Sequence, residues 1–162
     1  MTRETFKQLF ENHFTALRNY IYYRAGDKDL ATDIAQDAFL RLWEKQPKEG
    51  VQQLKSLLYK MAGDMFISRY RHQKIETTFA LKTQNTNFPH TPEDEIIYQE
   101  LNKSYQKALN VMPENLRVVF LMSRNEQLKN REIAERLNVG IKAIEKRMTQ
   151  ALAHLRKALI EQ

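Results

Sequence analysis

The sequence predicts an all-α fold: two small helical domains joined by a flexible linker, the second containing a helix-turn-helix. Three observations support this fold class. Apolar residues recur at spacings of three and four through most of the 162 residues, as on the buried stripe of a helix. Glycine and proline occur only four times each, which leaves long uninterrupted segments. A Thr- and Asn-rich segment without periodicity separates two groups of stripes.

Three helices are predicted in the first half of the chain. The first covers about residues 3–24, where aromatic and aliphatic side chains keep a helical spacing. Asp27 or Asp29 can cap the second helix, which runs to about Lys45. A loop containing proline and glycine follows, and a third helix covers about 53–72.

The division into domains rests on the segment "ETTFALKTQNTNFPHTP". We predict domains at 1–74 and 93–162, with a linker at 75–92 between them. Thr91 and Pro92 followed by acidic residues are typical of a helix start, so a fourth helix begins there. A fifth helix begins near the "PENLRVVFLMSR" stretch.

The last two predicted helices, 130–137 and 141–159, form a helix-turn-helix pattern. Ala134 is small where the second helix must cross closely, and Val139 in the short turn can fill the angle between the helices. Gly140 can cap the second helix, although Ser or Thr would cap it better. The inward positions of that helix follow a spacing of four, three and four: Ile144, Met148, Ala151 and Leu155.

The outward face of the last helix carries long polar donors that suit a DNA major groove. Its members are Lys142, Lys146, Thr149, Gln150 and Lys157, flanked by Glu145 and Arg147. The alternative is a plain helical hairpin with a solvated charged face. The small alanine, the short turn and the buried valine together favour DNA binding over that alternative.

Composition and charge narrow the function classes. The net charge of +6 is concentrated at the ends: residues 1–73 hold 12 Lys/Arg against 9 Asp/Glu, and residues 105–162 hold 11 against 6. Such an excess suits a polyanionic partner. The chain has no cysteine, no apolar run long enough to span a membrane and an acid-containing amphipathic N-terminus, so we expect a cytoplasmic protein. Its four histidines share no ligand spacing, and we expect no metal, no cofactor and no enzymatic activity.

The second helix, within "DIAQDAFLRLW", places a leucine on its wet face. Leu40 falls among polar and acidic side chains, opposite an ordinary apolar stripe. Those neighbours are Asp33, Gln36, Asp37 and Glu44. A leucine ringed by acids suits a docking patch on a protein partner, although single exposed leucines are also common.

The third helix interleaves aromatic rings with cations. Tyr59, Phe66 and Tyr70 lie along it together with lysine and arginine side chains. Rings that stack on bases between cations that follow phosphates suit single-stranded nucleic acid. The alternative is that the rings are core; we favour core for Phe66, and both readings stay open for the two tyrosines.

Together these patterns resemble a bacterial RNA polymerase sigma factor of the sigma-70 family, in its small extracytoplasmic-function group. "DKDLATDIAQDAFLRLW" and "LLYKMAGDMFISRYR" resemble region two of the family. The stretch from "ALNVMPENLRVVF" to "AHLRKAL" resembles region four. The resemblance covers nearly the whole chain except the linker.

The resemblance implies partners and site residues. The expected partners are the clamp and flap of core RNA polymerase, promoter DNA and an anti-sigma factor, with no obligate homo-oligomer. Core-polymerase contacts would be Asp33, Gln36, Asp37 and Leu40, with Trp43 as a second anchor or a core ring. The loop 46–52 would hold a flipped base of the −10 element, and the −10 contacts would be Lys48, Gln52, Tyr59, Lys60, Asp64, Arg69 and Arg71. The −35 contacts would be Arg131, Lys142, Ala143, Lys146, Arg147 and Gln150.

Three positions depart from the family pattern. Asp64 stands where the family usually has Asn, Ser68 where it usually has Asp, and Gly140 where Ser or Thr is common. An acid near a melted strand repels phosphate, so we expect Asp64 to affect which base is accepted.

The competing function is a LuxR-type helix-turn-helix regulator that binds duplex DNA as a dimer. A helical interaction protein without DNA is a further alternative.

Overall fold

The structure, a computed structural model, describes residues 1–69, 79 and 91–160. Within these residues it contains seven α-helices and no strand. The helices are α1 (Arg3–Ala25), α2 (Lys28–Lys45), α3 (Val51–Arg69), α4 (Pro92–Val111), α5 (Glu114–Glu126), α6 (Asn130–Leu137) and α7 (Ile141–Ile160). None of them combines the length and apolarity that a bilayer-spanning segment needs. The all-α fold class is confirmed.

Helices α1, α2 and α3 pack against one another as a bundle. Gly26 ends α1 in the left-handed conformation, with φ 75°, which glycine adopts without strain. The Asp27 side chain then accepts hydrogen bonds from the backbone N–H groups of Asp29 and Leu30 and so caps α2. Helix α3 begins two residues earlier than predicted, at Val51, and its predicted end at residue 72 lies outside the described residues.

The second half of the chain packs α7 against α4, α5 and α6. Thr91 and Asp94 form the reciprocal capping box expected at the start of α4. Ala134 and Ile144 are buried where α6 meets α7, and Val139 of the intervening turn packs against the same core. These contacts confirm the predicted helix-turn-helix.

The two halves share one hydrophobic core rather than two. Helix α1 lies against α5, and α3 touches α6. Most of the predicted linker lies outside the described residues, but Phe79 within it is 1% exposed and packs 5.9 Å from the Tyr22 ring, centroid to centroid. The helical spacing of apolar residues within each half of the chain does not predict that the two halves pack against each other.

His13 on α1 is expected to make the stability of the fold depend on pH. Burial lowers the pKa of its imidazole below 6.5, and the positive charges of Lys55 and Arg136 lower that pKa further. The unfolded chain therefore binds more protons near that pH, so the free energy of unfolding should decrease as pH falls through 6.5. Denaturant titrations at several pH values should show this loss, and His13→Gln should reduce it.

Candidate protein and nucleic-acid interfaces

The exposed face of α2 is apolar at one point. Leu40 is 56% exposed, whereas its neighbours Phe39 and Leu42 are buried. Asp33 and Gln36 beside it are exposed. The predicted exposure of this leucine among polar groups is therefore confirmed, and the face combines an apolar centre with an anionic rim.

Trp43 lies at the edge of that face. Its ring is 37% exposed and packs 5.0 Å from the Phe6 ring, centroid to centroid. One side of the indole therefore belongs to the cluster between α1 and α2, while the other remains available to a partner. The core interpretation is confirmed for the side that packs on Phe6, and the role of Trp43 as a second anchor stays a prediction.

An ion pair connects two of the predicted contact sets. Asp37 of α2 accepts a hydrogen bond from the Arg69 guanidinium at the end of α3. Both side chains are more than 40% exposed, so solvent screens the pair and its contribution to stability is small. The pair nevertheless keeps Asp37, an expected polymerase contact, next to Arg69, an expected −10 contact.

The loop before α3 and α3 itself carry most of the expected −10 residues. Lys48, Gln52, Lys60 and Asp64 are exposed. Gln46 ends α2 in the left-handed conformation, and its side chain donates to the Trp43 carbonyl at 2.8 Å. Arg71 lies outside the described residues.

The aromatic side chains of α3 differ from one another. Phe66 is buried, which confirms the core interpretation for this ring. Tyr59 is only 7% exposed, and its ring lies 5.2 Å from the Tyr20 ring, centroid to centroid. In this arrangement the Tyr59 ring has no free face of the kind that base stacking needs. Tyr70 lies outside the described residues.

The outward face of α7 is open along its length, while Ile144, Ala151 and Leu155 are buried on the opposite side. The exposed members of the predicted −35 set are Lys142, Ala143, Lys146 and Gln150 on α7 and Arg131 on α6; Arg147 is half-buried. A positively charged helix face with its apolar side packed inward can enter a major groove without disturbing its own domain.

A cleft of about 520 Å³ lies between the two halves of the chain. Its walls come from α1, from the loop and first half of α3, and from the end of α6. In the described part of the chain, no three His, Asp or Glu side chains lie close enough together to hold a metal ion.

Comparison with known families decides between the candidate interpretations. The model of sigma-70 region 2 matches residues 9–75, and the model of sigma-70 region 4 matches residues 102–155. The chain belongs to the sigma-70 family. Members of this family are transcription initiation factors rather than enzymes. Most of the helix bundle α1–α3 accordingly falls in region 2, and most of the helix-turn-helix falls in region 4.

Relatives and solved structures agree with this assignment. The ferric citrate uptake sigma factor FecI of Escherichia coli is 25% identical over 152 residues, covering 93% of this chain and 88% of the relative. The ECF RNA polymerase sigma factor SigW of Bacillus subtilis is 24% identical, covering 97% and 90%. This sigma factor falls in the same extracytoplasmic-function group. Nothing in these matches supports a LuxR-type regulator.

The fold has a counterpart among solved structures. The sigma factor RpoE of Bartonella quintana, in complex with the anti-sigma factor NepR, is similar with a TM-score of 0.56. The two chains are 19% identical, and the similarity covers 97% of this chain and 98% of that one. The all-helical fold of the sigma factor is therefore shared with it.

Two residues at the junction of regions 2 and 4 escaped the sequence analysis. Arg117 of α5 is 5% exposed, and Phe79 lies 4.8 Å from its guanidinium, measured to the ring centroid. Phe79 and Phe88 are the two aromatic residues of a largely polar segment, and nothing in the sequence distinguishes the one that is buried. Arg117 sits in an ordinary helical stripe, so its sequence context offers no signal either.

Proposed function

We propose that this sigma factor binds core RNA polymerase and directs promoter-specific transcription initiation in the bacterial cytoplasm. The observation that carries the proposal is that one chain exposes two separate surfaces of different chemistry. One is the apolar and anionic face of α2 in region 2, and the other is the cationic face of α7 in region 4. A protein that joins an enzyme to DNA needs both.

The polymerase-docking surface is the face of α2 centred on Leu40. Burying its exposed side chain on a partner removes apolar surface from water, and the surrounding carboxylates can pair with basic residues at the rim. We assign this surface to the polymerase clamp, with Asp33, Gln36, Asp37 and Trp43 around the leucine.

The −10 surface consists of the loop before α3 and the exposed side of α3. Lys48 and Lys60 are exposed and can neutralise phosphates, while Gln52 can donate to a base edge. A base captured outside the stack offsets part of the energy that melting requires. Asp64 is exposed on the same helix and repels phosphate, so it favours approach of a base rather than of the backbone.

The −35 surface is the exposed face of α7 with Arg131 of α6. Lys142 stands at the first turn of α7, where the unpaired backbone N–H groups also favour an anion. Lys146 and Gln150 follow at spacings of four on the same face. Two moderate DNA contacts on one chain gain from effective concentration once both regions sit on one polymerase. Region 4 would also contact the polymerase flap.

An anti-sigma factor is a further proposed partner. The similar RpoE structure was solved with the anti-sigma factor NepR. The face of α2 centred on Leu40 is an exposed apolar surface that such a partner would cover when polymerase is absent. We propose that such a partner regulates the sigma factor.

Purified core polymerase tests the proposed function directly. The sigma factor should be retained by immobilised core enzyme, and the reconstituted holoenzyme should give runoff transcripts from promoters selected out of a random library. Core enzyme alone provides the control. Failure to bind core together with tight homodimeric binding to duplex DNA would contradict the proposal and favour a conventional regulator.

Lys146→Ala should weaken binding to the −35 duplex while leaving core binding intact. The exposed lysine on α7 supplies a charged contact, whose loss should lower affinity by roughly tenfold and reduce the salt dependence by about one counterion. Fluorescence anisotropy with labelled duplex at several salt concentrations measures both effects. Lys103→Ala, an exposed lysine on α4, serves as the matched control and should change neither. Simultaneous loss of core binding in Lys146→Ala would contradict the assignment.

A further inference from the structure

The exposed side of α3 carries a single acid between a cation and an apolar side chain. Asp64 is the only acidic residue of α3, and its side chain is exposed. Lys60 one turn before it and Ile67 one turn after it are exposed on the same face, because helix positions three and four apart are neighbours. Along the helix axis they lie about 6 Å and about 4.5 Å from Asp64. We call these three residues the α3 stripe.

The Asp64 carboxylate has no partner within the protein. In the described part of the chain it forms neither an ion pair nor a hydrogen bond, not even with Lys60 one turn away. A carboxylate on a face that binds a nucleic-acid strand repels phosphate and so weakens the general attraction of that face. A compensating contact with the strand has to use what a carboxylate offers, which is hydrogen-bond acceptance.

The helix holds Asp64 in a fixed position. Met61, Met65 and Phe66 on the other side of α3 are buried, and α3 packs against both α1 and α2. A side chain that projects from a helix supported in this way adjusts only its own torsion angles when it meets a ligand. Asp64 is therefore suited to a contact of defined geometry.

Ile67 provides the apolar surface of the α3 stripe. Among the described residues of α3, the exposed large apolar side chains are Val51 at 57% and Ile67 at 41%. Val51 lies about 140° around the helix from Asp64, whereas Ile67 lies about 60° from it. Because the Tyr59 ring is buried against Tyr20, Ile67 is the apolar side chain on this face that the ring of a base can contact.

The position of Asp64 separates it from the loop 46–52. Asp64 lies about 18 Å along α3 from Gln52, the last residue of that loop. A base beside Asp64 is therefore a different base from the one assigned to the loop. The α3 stripe is a second place on the −10 surface where the sequence of the strand can be read.

The chemistry of a carboxylate distinguishes the four bases. An ionised carboxylate only accepts hydrogen bonds, through two neighbouring oxygens. A base outside the stack is read on its Watson–Crick edge, where guanine presents two adjacent donors, N1–H and the N2 amino group. Adenine and cytosine present one amino group beside a ring nitrogen that accepts, and thymine presents one N–H between two carbonyl oxygens. Each of these three bases places an acceptor against the second carboxylate oxygen.

We propose that Asp64 selects guanine at a second unstacked position of the −10 strand, through paired hydrogen bonds from N1–H and the N2 amino group. Lys60 neutralises a neighbouring phosphate, which offsets the repulsion by the carboxylate, and Ile67 packs on the guanine ring. Asn, which the family usually has at position 64, presents one donor and one acceptor and does not match guanine in this way. This inference rests on the proposed function, because it names a base that the −10 surface reads.

Selection of single strands tests the assignment. Holoenzyme assembled from core polymerase and the full-length sigma factor is offered a random library of single-stranded oligonucleotides, and the bound strands are sequenced. The unmodified protein should enrich guanine at one position. Asp64→Asn should lose that enrichment and favour adenine or cytosine there, because their edges match the donor and acceptor of the amide. Glu95→Gln, which removes an exposed acid of α4, is the matched control and should retain the guanine.

Base analogues in the selected strand test the contact itself. Inosine lacks the N2 amino group of guanine and keeps N1–H. Its introduction at the selected guanine should lower the affinity of the unmodified holoenzyme by roughly tenfold and that of Asp64→Asn by less than about twofold. The analogue 7-deazaguanine keeps both donors and should change neither affinity. Fluorescence anisotropy with labelled strands measures all four values, and a change in folding alone would not make the effect of inosine depend on Asp64.

Ile67→Ala should separate affinity from selectivity. Every base has a ring face, so loss of this apolar contact should lower the affinity by about threefold for strands with any base at the selected position. The preference for guanine should stay, because the carboxylate is unchanged. Circular dichroism should show unchanged helix content in this variant and in Asp64→Asn.

The outcomes separate this inference from the proposed function. If the unmodified sigma factor neither binds core polymerase nor supports runoff transcription, the proposed function fails. If the holoenzyme is active but selects no guanine, or selects a guanine that Asp64→Asn retains, the role of Asp64 alone is overturned. Equal losses on inosine substitution in the two proteins also overturn it.

Discussion

Leu40→Asp is expected to abolish binding to core RNA polymerase while leaving the fold intact. The side chain is 56% exposed and contributes little to the core, so its replacement should change the free energy of unfolding by less than about 0.5 kcal/mol. In the complex the same position becomes the buried apolar centre of the interface, where a carboxylate would be desolvated without a partner. Removal of a central anchor should raise the dissociation constant by roughly 30-fold or more. Titration of labelled sigma factor with core enzyme measures this dissociation constant.

Leu101→Asp is the matched control for this prediction. Leu101 on α4 is also 56% exposed, so the two substitutions add the same charge to leucines of equal accessibility. Only the variant on α2 should lose core binding, and both should unfold at the temperature of the original protein. Equal binding by Leu40→Asp and the unmodified protein would show that the exposed leucine is an ordinary surface residue.

The features that the sequence could predict are those set by local chemistry. Three such features are the end of α1 at Gly26, the N-cap of α2 at Asp27 and the capping box of α4 at Thr91. Each depends on residues within four positions of one another. The spacing of apolar residues likewise predicts that Phe39 is buried and Leu40 is exposed, because neighbouring positions on a helix point about 100° apart. Helix bounds, helix faces and the helix-turn-helix follow from such short-range information.

Contacts between distant segments could not be predicted in the same way. Arg117 is buried because the carbonyls of Tyr23 and Arg24, more than 90 positions away, provide its hydrogen bonds. Backbone carbonyls have no sequence signature, so no residue pattern marks the partners of this arginine. Tyr59 presents a related problem, because an aromatic ring between cations can stack on a base or on another ring. Here the packing of α3 against α1 places the Tyr59 ring against Tyr20.

These long-range contacts change how the site is understood. Sequence motifs assign residues to a −10 surface and a −35 surface as though each were open, and on α7 the structure agrees. On α3, Lys60 and Asp64 are exposed, as such an assignment requires, whereas Tyr59 is covered. Availability of a binding residue is therefore a property of the arrangement of the regions as well as of the residue type.

Phe39→Ala, one residue from Leu40, should have the opposite consequence and destabilise region 2. Phe39 is buried, with ring centroids of Phe6, Phe10 and Phe14 at 6.1, 5.1 and 6.0 Å. Truncation removes the ring shared by these contacts and leaves a cavity, which should lower the free energy of unfolding by about 3–5 kcal/mol. Thermal or denaturant unfolding followed by circular dichroism measures the loss.

The paired variants distinguish folding from docking. Folded proteins are stable by only about 5–15 kcal/mol, so Phe39→Ala should reduce core binding only to the extent that it unfolds the protein, with recovery on cooling. Leu40→Asp should lose binding at every temperature at which the chain is folded, because its defect lies in the interface. Phe39→Leu, which retains an apolar side chain, should lie between Phe39→Ala and the original protein in stability. A Phe39→Ala protein as stable as the original would show that the four-ring cluster does not hold α2 to α1, and α2 would then lack the rigid support that presentation of Leu40 requires.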